Sequence, residues 1–262
     1  MYREMFDHLI HAGICLAFAF PLVPLVAQKT TPAVVKNIVL VHGAFADGTS
    51  WSKIIPILQK QGYHVVAVQN PLTSLADDVA ATKRVIAMQD GPVILVAHSW
   101  GGVVITQVGN DPKVAGLVYV AAYAPDEGQS ANDASGTFGK TEGQKQILVD
   151  PSGFASLSEA GIFNDFAQGL PMAERRLVAA VQGQSYGPMF GEKITVAAWK
   201  TKPSWVIVSA NDRMLPPEME KANVIKLKAH GTTLPTCHLA MLEAPEQVAR
   251  VVDEAARNAL SK

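Results

Sequence analysis

From Lys36 onward, short apolar runs alternate with helix-like stretches, and this alternation constrains the fold more than any other feature. "NIVLVHG", "HVVAVQNP", "PVILVAHS" and "VAGLVYVAAYAP" are nearly continuous in apolar character, as strands covered on both faces must be. Between them lie "SWSKIIPILQKQG", "SLADDVAATKRVIAMQDG" and "WGGVVITQVGN", whose apolar residues recur at helical spacing. Ser74 is placed to cap the second of these and Gly91 to end it. Such alternation predicts an α/β domain built on a mostly parallel, doubly wound sheet with right-handed crossovers. The rhythm breaks after Pro125 and resumes at "PSWVIVSAND", "GTTLPTCH" and the closing helix "PEQVARVVDEAARNAL". Residues 126–200 carry Phe138, Phe154, Phe163, Phe166, Met172, Met189 and Phe190 in a Gly-, Ser- and Gln-rich background. They read as a helical cap inserted between two strands and covering a pocket, with "AERRLVAAVQ" its clearest helix.

Of the 262 residues, 48% are hydrophobic and 17% charged, which suits one domain with a sizeable core. A net charge of −1 offers no electrostatic handle for nucleic acid or an anionic membrane. Cys15 and Cys237 have no metal-ligand spacing and cannot form a disulfide framework. Residues 12–27, "AGICLAFAFPLVPLVA", are apolar and uncharged and give way to a polar exit. Residues 1–27 are therefore read as a signal peptide cut after Ala27, leaving 28–262 as an exported domain, periplasmic or secreted. Glu4 and Asp7 count against this by cancelling the positive charge expected ahead of the apolar run, and Leu25 is bulky for its place. Without a signal, the expectation is a cytoplasmic protein. Pro21, Pro24 and the short length argue against a stable membrane anchor.

"AHSWGG", residues 97–102, follows the third strand-like run. A strand that turns sharply into a helix brings backbone segments close together, so small residues must flank the turn. Ala97, Gly101 and Gly102 supply them, in a G-x-S-x-G pattern with alanine in the first place. Such a turn lifts Ser99 above the carboxyl edge of the sheet as a nucleophile; the bland alternative is a serine that caps a helix. A serine hydroxyl needs a base, and the base an acid to orient it. Of His230 and His238, only His238 follows the final strand-like run, where a carboxyl-edge loop belongs. Asp212 ends "SWVIVSAND" on the neighbouring loop and is the expected acid; Asp126, after an earlier strand, is its rival. The backbone amides of Ala44 and Trp100, one after the first strand and one after Ser99, are the expected oxyanion hole, with Gly43 permitting close approach.

"HGAFADGTSW", "AHSWGG", "SANDRMLPP" and "CHLAMLEAPEQV" together resemble the α/β-hydrolase superfamily. Within it they resemble the branch of plant methylesterases, hydroxynitrile lyases and small bacterial esterases. The likeness runs from about Lys36 to Leu260, matches the cap loosely and leaves out residues 1–35. The lyases of this branch carry threonine where Gly43 stands and lysine directly after the catalytic histidine, where this chain has Leu239. The resemblance thus implies an α/β-hydrolase fold and a serine esterase. Its triad would be Ser99, His238 and Asp212, acting through an acyl-enzyme on a small, largely apolar ester, with no metal or organic cofactor. Alternatives on the same fold are a ligand receptor that turns over slowly or never, or a lactonase, amidase or cofactor-free peroxidase using the same serine.

Other residues have plainer expected roles. Trp51 and Trp205 read as packing residues, His42 as a support for the glycine turn, and Cys237 as a small buried hydrophobe. His98 either orients the turn or fills space, and His230 is expected on a solvated loop. The Trp100 ring could pack on the cap or line the pocket. Arg213 is expected to favour the ionised form of Asp212.

Overall fold

The computed structural model describes residues 34–260, so the signal-peptide reading of residues 1–27 falls outside the described residues. The chain runs β1 (Asn37–Val41), α1 (Ile54–Lys60), β2 (His64–Val68), α2 (Leu75–Ala87), β3 (Val93–Ser99), α3 (Gly101–Val108) and β4 (Val114–Ala122). An insertion then holds α4 (Ala131–Ser135), β5 (Ile147–Val149), β6 (Phe154–Leu157), α5 (Glu159–Gly161), α6 (Met172–Val181) and β7 (Ser185–Tyr186). Sheet rhythm resumes with β8 (Ser204–Ser209), α7 (Pro217–Lys226), β9 (His230–Leu234), α8 (Ala240–Glu243) and α9 (Pro245–Asn258).

The main sheet has the order β2-β1-β3-β4-β8-β9, and every pairing in it is parallel. Every residue of β1, β3 and β8 is buried, which is why those runs carry polar residues only at or next to their ends. Each fully buried Val, Leu or Ile contributes about 1.5–3 kcal/mol relative to exposure, so these strands anchor the core. Ser74 does cap α2, its hydroxyl accepting the Asp77 N–H at 3.0 Å. The strand order reverses between β1 and β3, so the loops after these strands face one crevice at the carboxyl edge.

The insertion falls between β4 and β8 as expected, but it is not purely helical. Its β5, β6 and β7 form a three-stranded antiparallel sheet beside α6 and short helical turns. The scattered aromatic residues there alternate with polar ones over stretches too short for a helical period to show against them.

Candidate active site

Tight backbone contacts define the turn after β3. Ser99 takes φ 52°, in the left-handed region that costs an L-residue about 1–2 kcal/mol. Gly101 and Gly102 are obligatory. A Cβ on Gly101 would meet the Val41 carbonyl oxygen, and one on Gly102 the Tyr123 carbonyl oxygen, both closer than real Cβ atoms come. A Cβ on Gly43 would fall 2.7 Å from the Ser99 Cβ, so the loop after β1 is pressed against the serine. Ser99 sits opposite Ala122, skipping Ala121, and the Tyr123 N–H donates to the Ser99 carbonyl at 3.2 Å.

His238 and Asp212 arrive from the loops after β9 and β8, which are laced together. The Ala210 and Asn211 N–H groups donate to the carbonyls of Leu234 and Thr236 at 2.8 and 3.0 Å. Asp212 Oδ2 lies 2.6 Å from His238 Nδ1, both side chains buried. Its Oδ1 accepts the N–H groups of Met214 and Leu215 at 2.7 and 2.9 Å. With both oxygens engaged by donors, the carboxylate fixes the proton on Nδ1 and leaves Nε2 as the free base nitrogen.

A cavity of about 650 Å³ opens above this edge, walled by Ser99, His238, Ala44, Phe45, Phe166 and Phe190 among others. Gln144, Lys140 and Asn132 give part of its wall polar character. No hydrogen bond within 3.5 Å joins the Ser99 hydroxyl to His238 among the described residues, a contact that in many empty sites tightens only with substrate. The amides of Ala44 and Trp100 donate to no other group among the described residues. Phe45 and Phe166 also wall a smaller apolar cavity of about 220 Å³ under α6.

Two neighbouring histidines are structural. His98 is fully buried; burial first, and then the adjacent His238, hold its pKa well below the ordinary value, so the ring is neutral. Its Nε2 donates to the His238 carbonyl at 3.0 Å, positioning the loop that carries His238. His42 accepts the Asn70 N–H on Nε2 at 2.9 Å and therefore donates from Nδ1 to the Gly43 carbonyl at 2.8 Å, supporting the glycine turn. Burial lowers its pKa too.

The remaining candidates separate cleanly. Asp126 is pulled away, ion-paired with Lys200 at 2.6 Å, and absent from the cavity wall. His230 opens β9 at the opposite end from His238 and stacks on Trp205 at 5.1 Å, so it sits on a strand rather than a loop. Arg213 engages Asp165 at 2.9 Å, which removes it from the role expected beside Asp212. Cys237 is buried, and burial pushes its thiol up to about 12. Trp51 and Trp205 are core residues.

The Trp100 ring is fully buried and packs edge-on to Phe190 at 5.4 Å. Its Nε1 donates to Asp78 Oδ2 at 2.8 Å. Sequence reasoning passed over Asp78, although it sits on the apolar stripe Leu75, Asp78, Val79, Thr82, Ile86 of α2. An acid on the buried face of a helix is a readable signal. Phe166, 5.3 Å from the His238 ring, came from the insertion, where no pattern marks it out.

A sequence model of the alpha/beta hydrolase family matches residues 38–251. The "Probable hydrolase R7" of Phoma sp. is 28% identical over 247 residues, covering 84% of this chain and 97% of its own. A "Carbendazim hydrolyzing esterase" of Nocardioides sp. is 34% identical over 110 residues, 36% of this chain and 45% of its own. In three dimensions the chain is similar to polyneuridine aldehyde esterase, with TM-score 0.74 and 18% identity over 85% of this chain and 99% of that one. A pyrethroid hydrolase follows with TM-score 0.70 and 21% identity, over 87% and 100%. At such identities the structural likeness speaks for the fold alone. The family match over most of the chain carries the assignment: this protein belongs to the alpha/beta hydrolase family and, with hydrolases and esterases among its relatives, is a hydrolase of the esterase type.

Proposed function

We propose that this chain hydrolyses a small, largely apolar carboxylic ester through an acyl-enzyme formed on Ser99. The observation that carries the reading is the meeting of a strained serine with a carboxylate-oriented imidazole on one cavity wall. Ser99 Oγ attacks the ester carbonyl carbon while His238 Nε2 takes the hydroxyl proton. Asp212 keeps the imidazole in the required tautomer and offsets the positive charge it gains. The carbonyl oxygen becomes an oxyanion, and its binding falls to the Ala44 and Trp100 amides in this reading. His238 returns the proton to the departing alkoxide, releasing alcohol. Water then repeats the sequence on the acyl-enzyme, releasing the acid and restoring Ser99. Phe45, Phe166 and Phe190 favour an apolar substituent on the ester.

The test is hydrolysis of p-nitrophenyl acetate and butyrate by the wild type, Ser99→Ala, Asp212→Asn and Asp126→Asn. Ser99→Ala is expected to lose turnover, and Asp212→Asn to fall by about 10⁴ as in other triads. Asp126→Asn should keep wild-type rates. Equal rates for wild type and Ser99→Ala refute esterase chemistry at this site, and a crippled Asp126→Asn refutes the choice of acid. For the N-terminal segment we propose export, expecting a mature N-terminus near Gln28 by mass spectrometry of the natively produced protein.

A further inference from the structure

Directly behind Asp212 lies a second buried carboxyl group that the mechanism does not use. Glu220, in the first turn of α7, is fully buried. Its Oε2 accepts the Ser209 N–H at 2.8 Å, while the Ser209 carbonyl accepts the Asp212 N–H at 3.1 Å, so one residue pins both acids. The other oxygen, Oε1, is buried with no donor directed at it. Through this shared residue the two carboxyl groups are held near enough that Asp212 acts directly on the Glu220 carboxyl.

Two ionised carboxylates held that near, away from water and with one oxygen unpartnered, are strongly unfavourable. A single proton on Glu220 resolves both difficulties. It removes one charge and turns the orphaned oxygen into a donor with an acceptor beside it. We propose that Glu220 is held protonated and donates a hydrogen bond to the Asp212 carboxylate, acting as a positioning residue behind the triad acid. The surrounding groups point the same way. Burial and the Asp212 charge raise the Glu220 pKa well above the ordinary carboxyl range, and Glu218 on the same helix adds to this. Tyr123, just after β4, faces Asp212 as a neutral phenol, its own pKa pushed up to about 12 chiefly by burial. Of the two cations of α7, Lys226 is spent on the Ala124 carbonyl and Lys221 is exposed to solvent.

The consequence rests on the triad reading above. A donor to Asp212 spreads its negative charge and limits how strongly it stabilises the His238 imidazolium. Removing that donor should stabilise the imidazolium and move the acidic limb of the kcat/KM profile to higher pH. Glu220→Gln keeps an acceptor for Ser209 and a donor for Asp212, whereas Glu220→Met keeps neither. The Gln variant is expected to stay within about twofold of wild type, with its acidic limb unmoved. The Met variant is expected to lose about tenfold at neutral pH, as for one charge-assisted hydrogen bond, and to recover as pH rises. A purely structural role would give a loss that pH does not repair.

Infrared difference spectra, wild type minus Glu220→Gln, supply a readout independent of activity. They should show the carbonyl band of a protonated carboxylic acid at pH 7. Absence of that band overturns the proposal even if Glu220→Met fails to fold. An acidic limb that moves to lower pH in Glu220→Gln overturns it as well, because it would mean that a negative charge had been removed. If the band is present while Ser99→Ala hydrolyses esters normally, the protonated pair stands and the triad reading falls.

Discussion

Asp78 offers the sharpest test of the electrostatics under the site. Its carboxylate is fully buried and accepts the Leu72 N–H on Oδ1 and the Trp100 Nε1–H on Oδ2, each at 2.8 Å. Burial outweighs these donors and pushes its pKa up to about 6 from the ordinary 3.8. A difference of that size corresponds to about 3 kcal/mol between the two protonation states. The folded protein therefore holds a proton that the unfolded chain releases across the window from about 4 to about 6. The stability this confers is fully present below the unfolded value and is lost as pH rises through about 6. Asp78→Asn cannot titrate. Its single acceptor oxygen serves one of the two N–H groups, and orphaning the other costs about 1–3 kcal/mol at every pH. The wild type should thus outlast Asp78→Asn by about 1.4 kcal/mol more at pH 5 than at pH 7.5. For a chain of this length that is an added Tm gap of about 3–6 °C. Thermal melts of both proteins at the two pH values measure it, and other titrating groups largely cancel in the difference. A gap that stays constant, or narrows toward pH 5, refutes the claim that burial dominates at Asp78.

Three further substitutions probe the geometry. Gly43→Ala places a Cβ 2.7 Å from that of Ser99 and should cost about 1–3 kcal/mol as overpacking, with a drop in kcat read by ester hydrolysis. Phe166→Ala should cost about 3–5 kcal/mol in denaturant unfolding and, by joining the two cavities it walls, should lower KM for bulkier esters relative to acetate. His230→Ala removes a ring stacked on Trp205 far from the cavity, so kcat/KM should not change; a loss there would show the wrong histidine has been assigned as base.

The main sheet was legible because β1, β3 and β8 are buried on both faces, and only unbroken apolar runs satisfy that. The placing of Ser99, Asp212 and His238 at one sheet edge was legible for a related reason. In a parallel sheet the position after each strand fixes the edge on which a residue falls, so strand order alone separates His238 from His230. The insertion was not legible in kind, since β5, β6 and β7 are two to four residues long, too short for a period to be read. Arg213 was misread because chain adjacency to Asp212 says nothing of side-chain direction, and its guanidinium turns to Asp165. Glu220 stayed hidden because its partner lies across a loop, and α7 shows no clean apolar stripe against which a buried acid would stand out.

Backbone strain gathers at the sheet edge that carries the proposed site. Among the described residues, four of the five non-glycine residues with positive φ lie at or just beyond the carboxyl ends of successive strands: Phe45 after β1, Leu72 after β2, Ser99 ending β3 and Ala121 in β4. At about 1–2 kcal/mol each, such conformations persist only where surrounding contacts over-determine them. Two of the four residues, Phe45 and Leu72, are held by the insertion. The Phe45 N–H donates to the Ser185 hydroxyl at 3.2 Å, and the Tyr186 N–H donates to the Leu72 carbonyl at 2.8 Å. Both partners belong to β7, the two-residue strand of the small sheet. That strand clamps the loop presenting the Ala44 amide, while Asp78 clamps Leu72 and Trp100 from below. The insertion is thus a brace on the loops proposed to bind the oxyanion as well as a roof over the cavity. Substitutions that loosen β7 should act on turnover through those amides before they act on substrate entry.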